Sequence, residues 1–374
     1  MDGFQRISII GLGLMGGSFA LALKNRKIPC KIVGYDTSSE YLMAAKASGA
    51  IDVAAAHMKE AVADAQLVVI AVPIGYYPEV FQGIADHLSP HCIVTDVGSV
   101  KSYVVEMAKQ FLPDTIQFIG GHPMTGSEKG GFHAADPYLY ENAYYFLTKE
   151  SSTNMEALNQ IELMIKTLGA FPVVSPPEEH DQIVSLISHL PHLIASVLVN
   201  MMDQNKGISY LPFVGGGFRD TTRIASGNPA MWKDIFFYNK DQVLKSISSF
   251  EVLLKTFRDS LESNHSDLIF KDLENAKLIR DSIPHQGRDY ISPLFEIIVS
   301  VEDRPGVLAE LTHVIGSNAI NIKEIEILHA RQEEKGAVRL AFASLSDRDA
   351  ALAILKQGKF PHSYAKDEKS VEKS

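Results

Sequence analysis

The chain has 374 residues, 46% of them apolar and 21% charged, with 35 basic against 45 acidic side chains and a formal charge of −10. That length calls for two or three domains, and an acidic chain without a basic run is a poor nonspecific binder of nucleic acid. The only cysteines, Cys30 and Cys92, lie in strand-like apolar runs, which argues against a disulfide framework and suits a reducing compartment.

The first strand signal, "RISII" (6–10), leaves no room for a signal peptide before it. "KIVGY" (31–35), "LVVIAVP" (67–73), "CIVTDVG" (92–98), "QFIGG" (117–121) and "YYFLT" (144–148) read as further strands. Segments 14–26, 38–48, 76–87 and 100–110 between them have helical length and periodicity. Strands and helices alternating over short connections predict an α/β, Rossmann-type doubly wound sheet. A helix over 154–168 and a strand "FPVVS" (171–175) close the unit, expected to span 1–176, with "PPEE" marking its exit. Residues 177–283 carry only helical patterns, several with more apolar surface than one face requires, and predict an all-α substrate and dimerisation domain. Within it, "IVSLISHLPHLIASVLVNMM" is interrupted by His189, Pro191 and His192, so it reads as a buried helix pair and not a membrane span. The protein is therefore expected in the cytoplasm. Residues 284–293 have the composition of a linker, and 294–364 read βαββα with room for a last strand, a ferredoxin-like unit. The charged end, 365–374, is expected to be disordered.

"IIGLGLMGGS" sets Gly11, Gly13 and Gly16 in G-x-G-x-x-G spacing between a strand and a helix, and Asp36 ends the second strand. This is a complete dinucleotide-binding context: the backbone from Gly11 through Leu12, Gly13, Leu14 and Met15 to Gly16 can approach a pyrophosphate at the helix N-terminus. Asp36 would accept bonds from the adenine ribose and repel a 2′-phosphate, favouring NAD over NADP. Val72 and Pro73, after the next strand, are expected to line the cofactor cleft.

Ligands of open α/β sheets sit beyond the carboxyl ends of the strands, where three polar stretches fall. These are "DVGSVKS" (96–102), "GGHPMTGSEKGG" (120–131) and, in the helical half, "GGGFRDTTRIASGNP" (215–229). Oxidising an alcohol needs a group that takes the hydroxyl proton, and His122, placed after a strand and held by Pro123, is the candidate base. Ser99 could bond the same hydroxyl or orient the imidazole, while Ser127 and Glu128 are candidates for supporting contacts. Arg219 and Arg223, four apart, would share a helix face and could offer a carboxylate a bidentate fork. His189 and His192 are one turn apart. No further ligand accompanies them, so His192 is read as facing substrate and no metal is expected. Trp232 could wall the pocket or pack in the core.

Taken in order, "GLGLMGGS", "AVPI", "DVGSVK", "GGHPMTGSEKGG", "SHLPH" and "GFRDTTRIASGNP" closely resemble the prephenate dehydrogenase family over residues 5–285. "VEDRPGVLAELTHVIGSNAINI" resembles an ACT domain. The first resemblance implies NAD-dependent oxidative decarboxylation of prephenate to 4-hydroxyphenylpyruvate in tyrosine biosynthesis. His122 would be the proton acceptor, Ser99 its support, Arg223 the substrate-carboxylate arginine with Arg219 a supporting charge, and His192 a pocket histidine. It also implies a homodimer joined through the helical domain. The second implies control by L-tyrosine or another aromatic amino acid, with Gly306 and Asn321 as the positions of interest; a module that only dimerises is the other reading. An arogenate or dual-specificity enzyme differs only in the side chain it accepts. A β-hydroxyacid dehydrogenase would need a catalytic lysine on a glycine-bearing helix, and segment 180–206 has only Lys206 at its end. A non-catalytic NAD-binding amino-acid sensor would need neither proton acceptor nor carboxylate anchor.

Overall fold

The computed structural model describes residues 4–126, 129–203, 211–283, 294–302, 304–328, 336–358, 360 and 363–365. Ser127, Glu128, the expected linker 284–293 and all but the first residue of the expected tail lie outside them. The chain forms two compact units that divide after Arg280.

The first unit begins β1 (Arg6–Ile10), α1 (Leu14–Asn25), β2 (Lys31–Tyr35), α2 (Ser39–Ala47), β3 (Val53–Ala54), α3 (Met58–Val62), β4 (Leu67–Ile70), α4 (Tyr77–Ala85), β5 (Ile93–Asp96), α5 (Ser102–Phe111) and β6 (Gln117–Ile119). These strands make one parallel sheet in the order β3-β2-β1-β4-β5-β6. Runs such as Leu67-Val68-Val69-Ile70 are buried at every position because helices cover both faces. Ile7, Ile9 and Val69 face one core with Phe19 and Leu23 of α1, whereas Ile10, Val68 and Ile70 face another with Phe81 and Val104. The order reverses between β1 and β4, so the glycine turn after β1 lies at the topological switch point.

One expectation changes here. "QFIGG" and the residues after it are two strands: β6 ends at Ile119 and β7 (Gly121–Pro123) leaves the parallel sheet. β7 pairs antiparallel with β8 (Tyr144–Thr148), which pairs in parallel with β9 (Phe171–Ser175) after α6 (Met155–Thr167). His122 is thus inside a short strand of a second sheet, opposite Phe146, and not in a loop following a strand.

The helical part comprises α7 (Pro177–Val184), a π-helical turn Ser185–His189, α8 (Leu190–Asp203), α9 (Gly216–Thr222), α10 (Pro229–Tyr238), α11 (Lys240–Glu262) and α12 (Ser266–Ser282). The expected broken pair is instead one continuous helix, Pro177–Met202, long and apolar enough by length and composition to cross a membrane. The π turn absorbs the irregularity near Pro191, and Leu186, Ile187 and Met201 are exposed, so the segment is not buried on all sides. Its first half carries polar side chains bonded into the rest of the unit, as described below, which ties it to the globular body.

The second unit contains β10 (Phe295–Val301), α13 (Val307–Gly316), β11 (Glu324–Leu328), β12 (Gly336–Phe342), α14 (Leu345–Gln357) and β13 (Ser363–Ala365). Its antiparallel sheet has the order β11-β12-β10-β13 and closes a core of Ile297, Val299, Leu311, Leu340 and Leu355. Ala365, expected to open the disordered tail, belongs to β13.

Candidate active site

The glycine turn fits a dinucleotide. Gly11 has φ +92°, and a Cβ there would stand 2.4 Å from the Ala71 carbonyl oxygen and 3.0 Å from Val72 Cγ1; one on Gly16 would stand 1.9 Å from the Gly11 oxygen. Both glycines are therefore needed for the turn itself. A Cβ on Gly13 would meet nothing within 4 Å, so its space is open to a ligand. Gly13 caps α1 without a side-chain bond, and the first turn has no acidic residue, leaving N–H groups and dipole for an anion. Leu12 gives only backbone, its side chain being in the core, while Leu14 and Met15 are half-buried. Asp36 is fastened beside the turn by the N–H groups of Leu12 (2.6 Å) and Ser38 (2.7 Å), where a ribose would lie. Val72 is half-buried beside Gly11 and Pro73 is exposed.

A buried charge pair joins the two polar strand ends. The Asp96 carboxylate, at the end of β5, accepts the Gly121 N–H at 2.9 Å, the Gly98 N–H at 2.8 Å, the Tyr77 hydroxyl at 2.8 Å and Lys101 Nζ at 2.5 Å. Lys101, fully buried, also donates to the Gly121 carbonyl at 2.6 Å. Burial pulls its ammonium below the ordinary lysine value, against the pull of Asp96. With both Asp96 oxygens and the Lys101 ammonium hydrogen-bonded, the pair escapes the penalty of an unsatisfied buried charge. It locks the Gly98-Ser99 bend to the residue before His122.

The His122 ring is nearly buried, and its Nδ1 lies 2.8 Å from His180 Nε2. His180 Nδ1 in turn lies 2.8 Å from Asp181 Oδ1. Asp181 also accepts the Lys101 and Ser102 N–H groups at 2.7 and 2.8 Å. Burial opposes ionisation of Asp181, but the bonds from His180, Lys101 and Ser102 hold its carboxyl below the ordinary value. Asn239 Nδ2 donates to the Asp181 carbonyl at 2.9 Å and to His189 Nδ1 at 3.2 Å. His189 meets Trp232 edge-on, and Trp232 stacks on His192 with centroids 3.6 Å apart and planes at 11°. One connected set of residues therefore runs from His122 through His180, Asp181, Asn239 and His189 to Trp232 and His192, with the Asp181 main-chain carbonyl as the link to Asn239. Burial depresses all four histidines: His122 falls well below its usual value, His189 to about 4, and His180 and His192 are lowered. All four are neutral rings near neutral pH.

The other expected residues fall around this set. Ser99 is half-buried on the bend held by Asp96, yet its hydroxyl is not bonded to His122; the residue that orients the imidazole is His180. Arg219 and Arg223 do not share one α-helix, because α9 closes at Thr222 and Arg223 opens a 3-10 turn. Both are exposed. The turn carrying Arg223 packs against α8, and a Cβ on Gly227 would stand 2.5 Å from Trp232 Nε1 and 3.2 Å from His192 Cε1. Arg223, His192 and Trp232 thus gather in one neighbourhood.

The comparisons with known proteins agree along the chain. The model of the prephenate dehydrogenase nucleotide-binding domain matches residues 19–174, that of its dimerization domain 176–275, and that of the ACT domain 295–357. The prephenate dehydrogenase of Bacillus subtilis is 38% identical over 348 residues, covering 92% of this chain and 94% of the relative. The chain belongs to the prephenate dehydrogenase family. Another relative, the cyclohexadienyl dehydrogenase of Zymomonas mobilis, is 32% identical over 284 residues, 74% of this chain and 97% of its own. The crystal structure of the A. aeolicus prephenate dehydrogenase with hydroxyphenyl propionate and NAD+ superposes with a TM-score of 0.72 at 32% identity, covering 76% of this chain and 99% of that one. As a member of that family, the chain is an NAD-dependent dehydrogenase with an ACT domain. His180, Asp181, Lys101 and Asn239 are the residues of this site that sequence reasoning passed over. The available signal was a His-Asp pair one helix turn past the last strand of the nucleotide-binding unit.

Proposed function

We propose that this chain oxidises prephenate to 4-hydroxyphenylpyruvate and CO2 in tyrosine biosynthesis, in the cytoplasm, with NAD as hydride acceptor. The observation that carries this is a neutral, enclosed His122 fixed through His180 on the rim of the nucleotide fold, connected to the Arg223, His192 and Trp232 neighbourhood. When bound at the glycine turn, NAD supplies the site that takes the hydride. His122 takes the proton of the ring hydroxyl, and Ser99 bonds the same oxygen from the bend beside it. Arg223 holds a substrate carboxylate with Arg219 as a supporting charge, and His192, kept flat by Trp232, lines the pocket. Ser127 and Glu128, which lie outside the described residues, remain candidates for supporting contacts to substrate. Loss of CO2 aromatises the ring and returns the proton to the new phenol oxygen.

A second reading, an arogenate or dual-specificity enzyme, is favoured by the similarity to a cyclohexadienyl dehydrogenase. Initial rates of NADH formation with prephenate and with arogenate, each with NAD and with NADP, separate the two. A higher kcat/KM for prephenate with NAD is expected, and equal values would establish dual specificity. NAD that binds but stays unreduced with both substrates would instead indicate an NAD-binding sensor.

The ACT domain receives an aromatic amino acid, L-tyrosine first among the candidates, near Gly306 and Asn321. Gly306 has φ +87° at the start of α13, and Asn321 is exposed before β11. The chain works as a homodimer, supported by the exposed Leu253, Leu254 and Leu261 of α11 and Phe270, Leu273 and Leu278 of α12. Tyrosine added to the same assay should lower the rate, and sedimentation should give twice the chain mass.

A further inference from the structure

We propose that His180, backed by Asp181, is a positioning residue for the reaction: it fixes the tautomer of His122 and holds the proton that His122 removes from substrate. The inference rests on the dehydrogenase reading above.

The donor and acceptor roles follow by elimination. Asp181 is an ionised acceptor, already taking backbone N–H groups from Lys101 and Ser102. His180 Nδ1, 2.8 Å away, must donate to it. A neutral imidazole with its proton on Nδ1 offers only a lone pair on Nε2. That lone pair faces His122 Nδ1 at 2.8 Å, so His122 Nδ1 is the donor there. The lone pair of His122 is thereby fixed on Nε2, the nitrogen that makes no hydrogen bond to another described residue and is left for the substrate hydroxyl.

The same chain gives the proton a place to rest. The hydroxyl proton arrives on His122 Nε2, the His122 Nδ1 proton passes to His180 Nε2, and His180 keeps its own Nδ1 proton, donated in a hydrogen bond to Asp181. The positive charge then lies on the imidazolium beside the carboxylate and not on His122. When the dienone loses CO2 and the ring oxygen becomes a phenolate, both transfers reverse and the proton returns to that oxygen. No atom or electron is gained by the protein. His180 meets charged or titratable groups from every side: Asp181 on its own helix, Lys101 before α5, Asp96 at the end of β5, His122 on β7 and His189 in the π turn, while Phe146 of β8 meets its ring edge-on. Asp181, bonded to the ring, is the carboxylate that most favours a proton on His180, while Asp96, paired to Lys101, adds less.

Two measurements test this. Ring-nitrogen NMR of the full-length wild-type protein with 15N-labelled histidine, without ligands at neutral pH, should show both His122 and His180 protonated on Nδ1 and bare on Nε2; His122→Asn and His180→Gln assign the signals. A proton on His122 Nε2 overturns the proposal whatever the activity. In steady-state assays, His180→Gln still accepts the His122 Nδ1–H but cannot take a proton. Its kcat should fall by about ten- to a hundredfold with the KM values for prephenate and NAD little changed. The acid limb of its kcat/KM profile should move to lower pH, because the proton must then sit on His122. A kcat within about twofold of wild type, or a lower kcat with an unmoved limb, rejects the relay. If His180→Gln does not fold, the wild-type NMR result decides alone. A wild-type enzyme inactive on prephenate refutes the functional reading and leaves the tautomer result standing.

Discussion

The proposed proton acceptor, His122, has a ring that burial makes a poor base on its own, held well below the ordinary histidine value. Its loss should be felt in chemistry and not in binding: His122→Asn should lower kcat by about a hundredfold or more, with NAD affinity by fluorescence titration near wild type. Arg223→Ala should chiefly raise the KM for prephenate, by about 1.5–3 kcal/mol, the scale of one charged hydrogen bond. A larger effect from Arg219→Ala would reassign the carboxylate to that side chain. At this scale the sequence was most legible where chemistry is local. Gly11, Gly13, Gly16 and Asp36 announce themselves because one turn and one strand end contain the whole device. His122 stands out because a polar, glycine-rich stretch has no use in a core. His180 and Asp181 did not stand out. They follow two glutamates in a stretch that looks like a solvated helix start, and their partners lie 58 and 80 residues away. Lys101 reads as an exposed helix-start lysine, and only the fold reveals the carboxylate that lets it be buried.

Elements explain the rest of the site's precision. The glycine turn separates two functions that a motif merges. Gly16→Ala drives a Cβ into the Gly11 carbonyl and should lower the melting temperature of the unliganded protein. Gly13→Ala meets nothing and should leave that temperature nearly unchanged, yet weaken NAD about tenfold or more by occupying the pyrophosphate's path. Calorimetry and NAD titration of the two variants check this, and a Gly13→Ala protein with normal NAD affinity would move the pyrophosphate elsewhere. Strand alternation was readable from β-branched runs, and so were the helices between them. The departure of β7 from the parallel sheet was not, because "QFIGGHP" is apolar and then glycine-rich without a turn signal. What separates β6 from β7 is tertiary: the Gly120 and Gly121 N–H groups are taken by Thr148 Oγ1 and Asp96.

For the whole molecule, four depressed histidines make stability depend on pH. His122, His180, His189 and His192 are lowered by burial in the folded chain and titrate near about 6.5 when unfolded. Between those values the unfolded chain binds more protons, so the contribution is complete above about pH 6.5 and is lost as pH falls. For His189 the loss continues to about 4. Melting temperatures of the nucleotide-binding and helical unit should therefore decline steadily on acidification below that point, and a flat profile from pH 8 to pH 5 would contradict neutral buried rings. The helix that bears three of them, His180, His189 and His192, has a further property, which comes from the π turn at Ser185–His189. One surplus residue in a helix rotates all that follows by roughly 100°. In an unbroken α-helix His189 would point nearly opposite His180; the surplus residue swings it onto the face of Asp181, where Asn239 bridges the two. Nine residue steps from His180 to His189 thus cover the rotation that eight make in an ordinary α-helix. Trimming one residue between Ser185 and Ile187 would let the helix close to regular geometry with His189 and His192 still on their present face, whereas adding one there would turn both away from Asp181: the helix carries slack in one direction only.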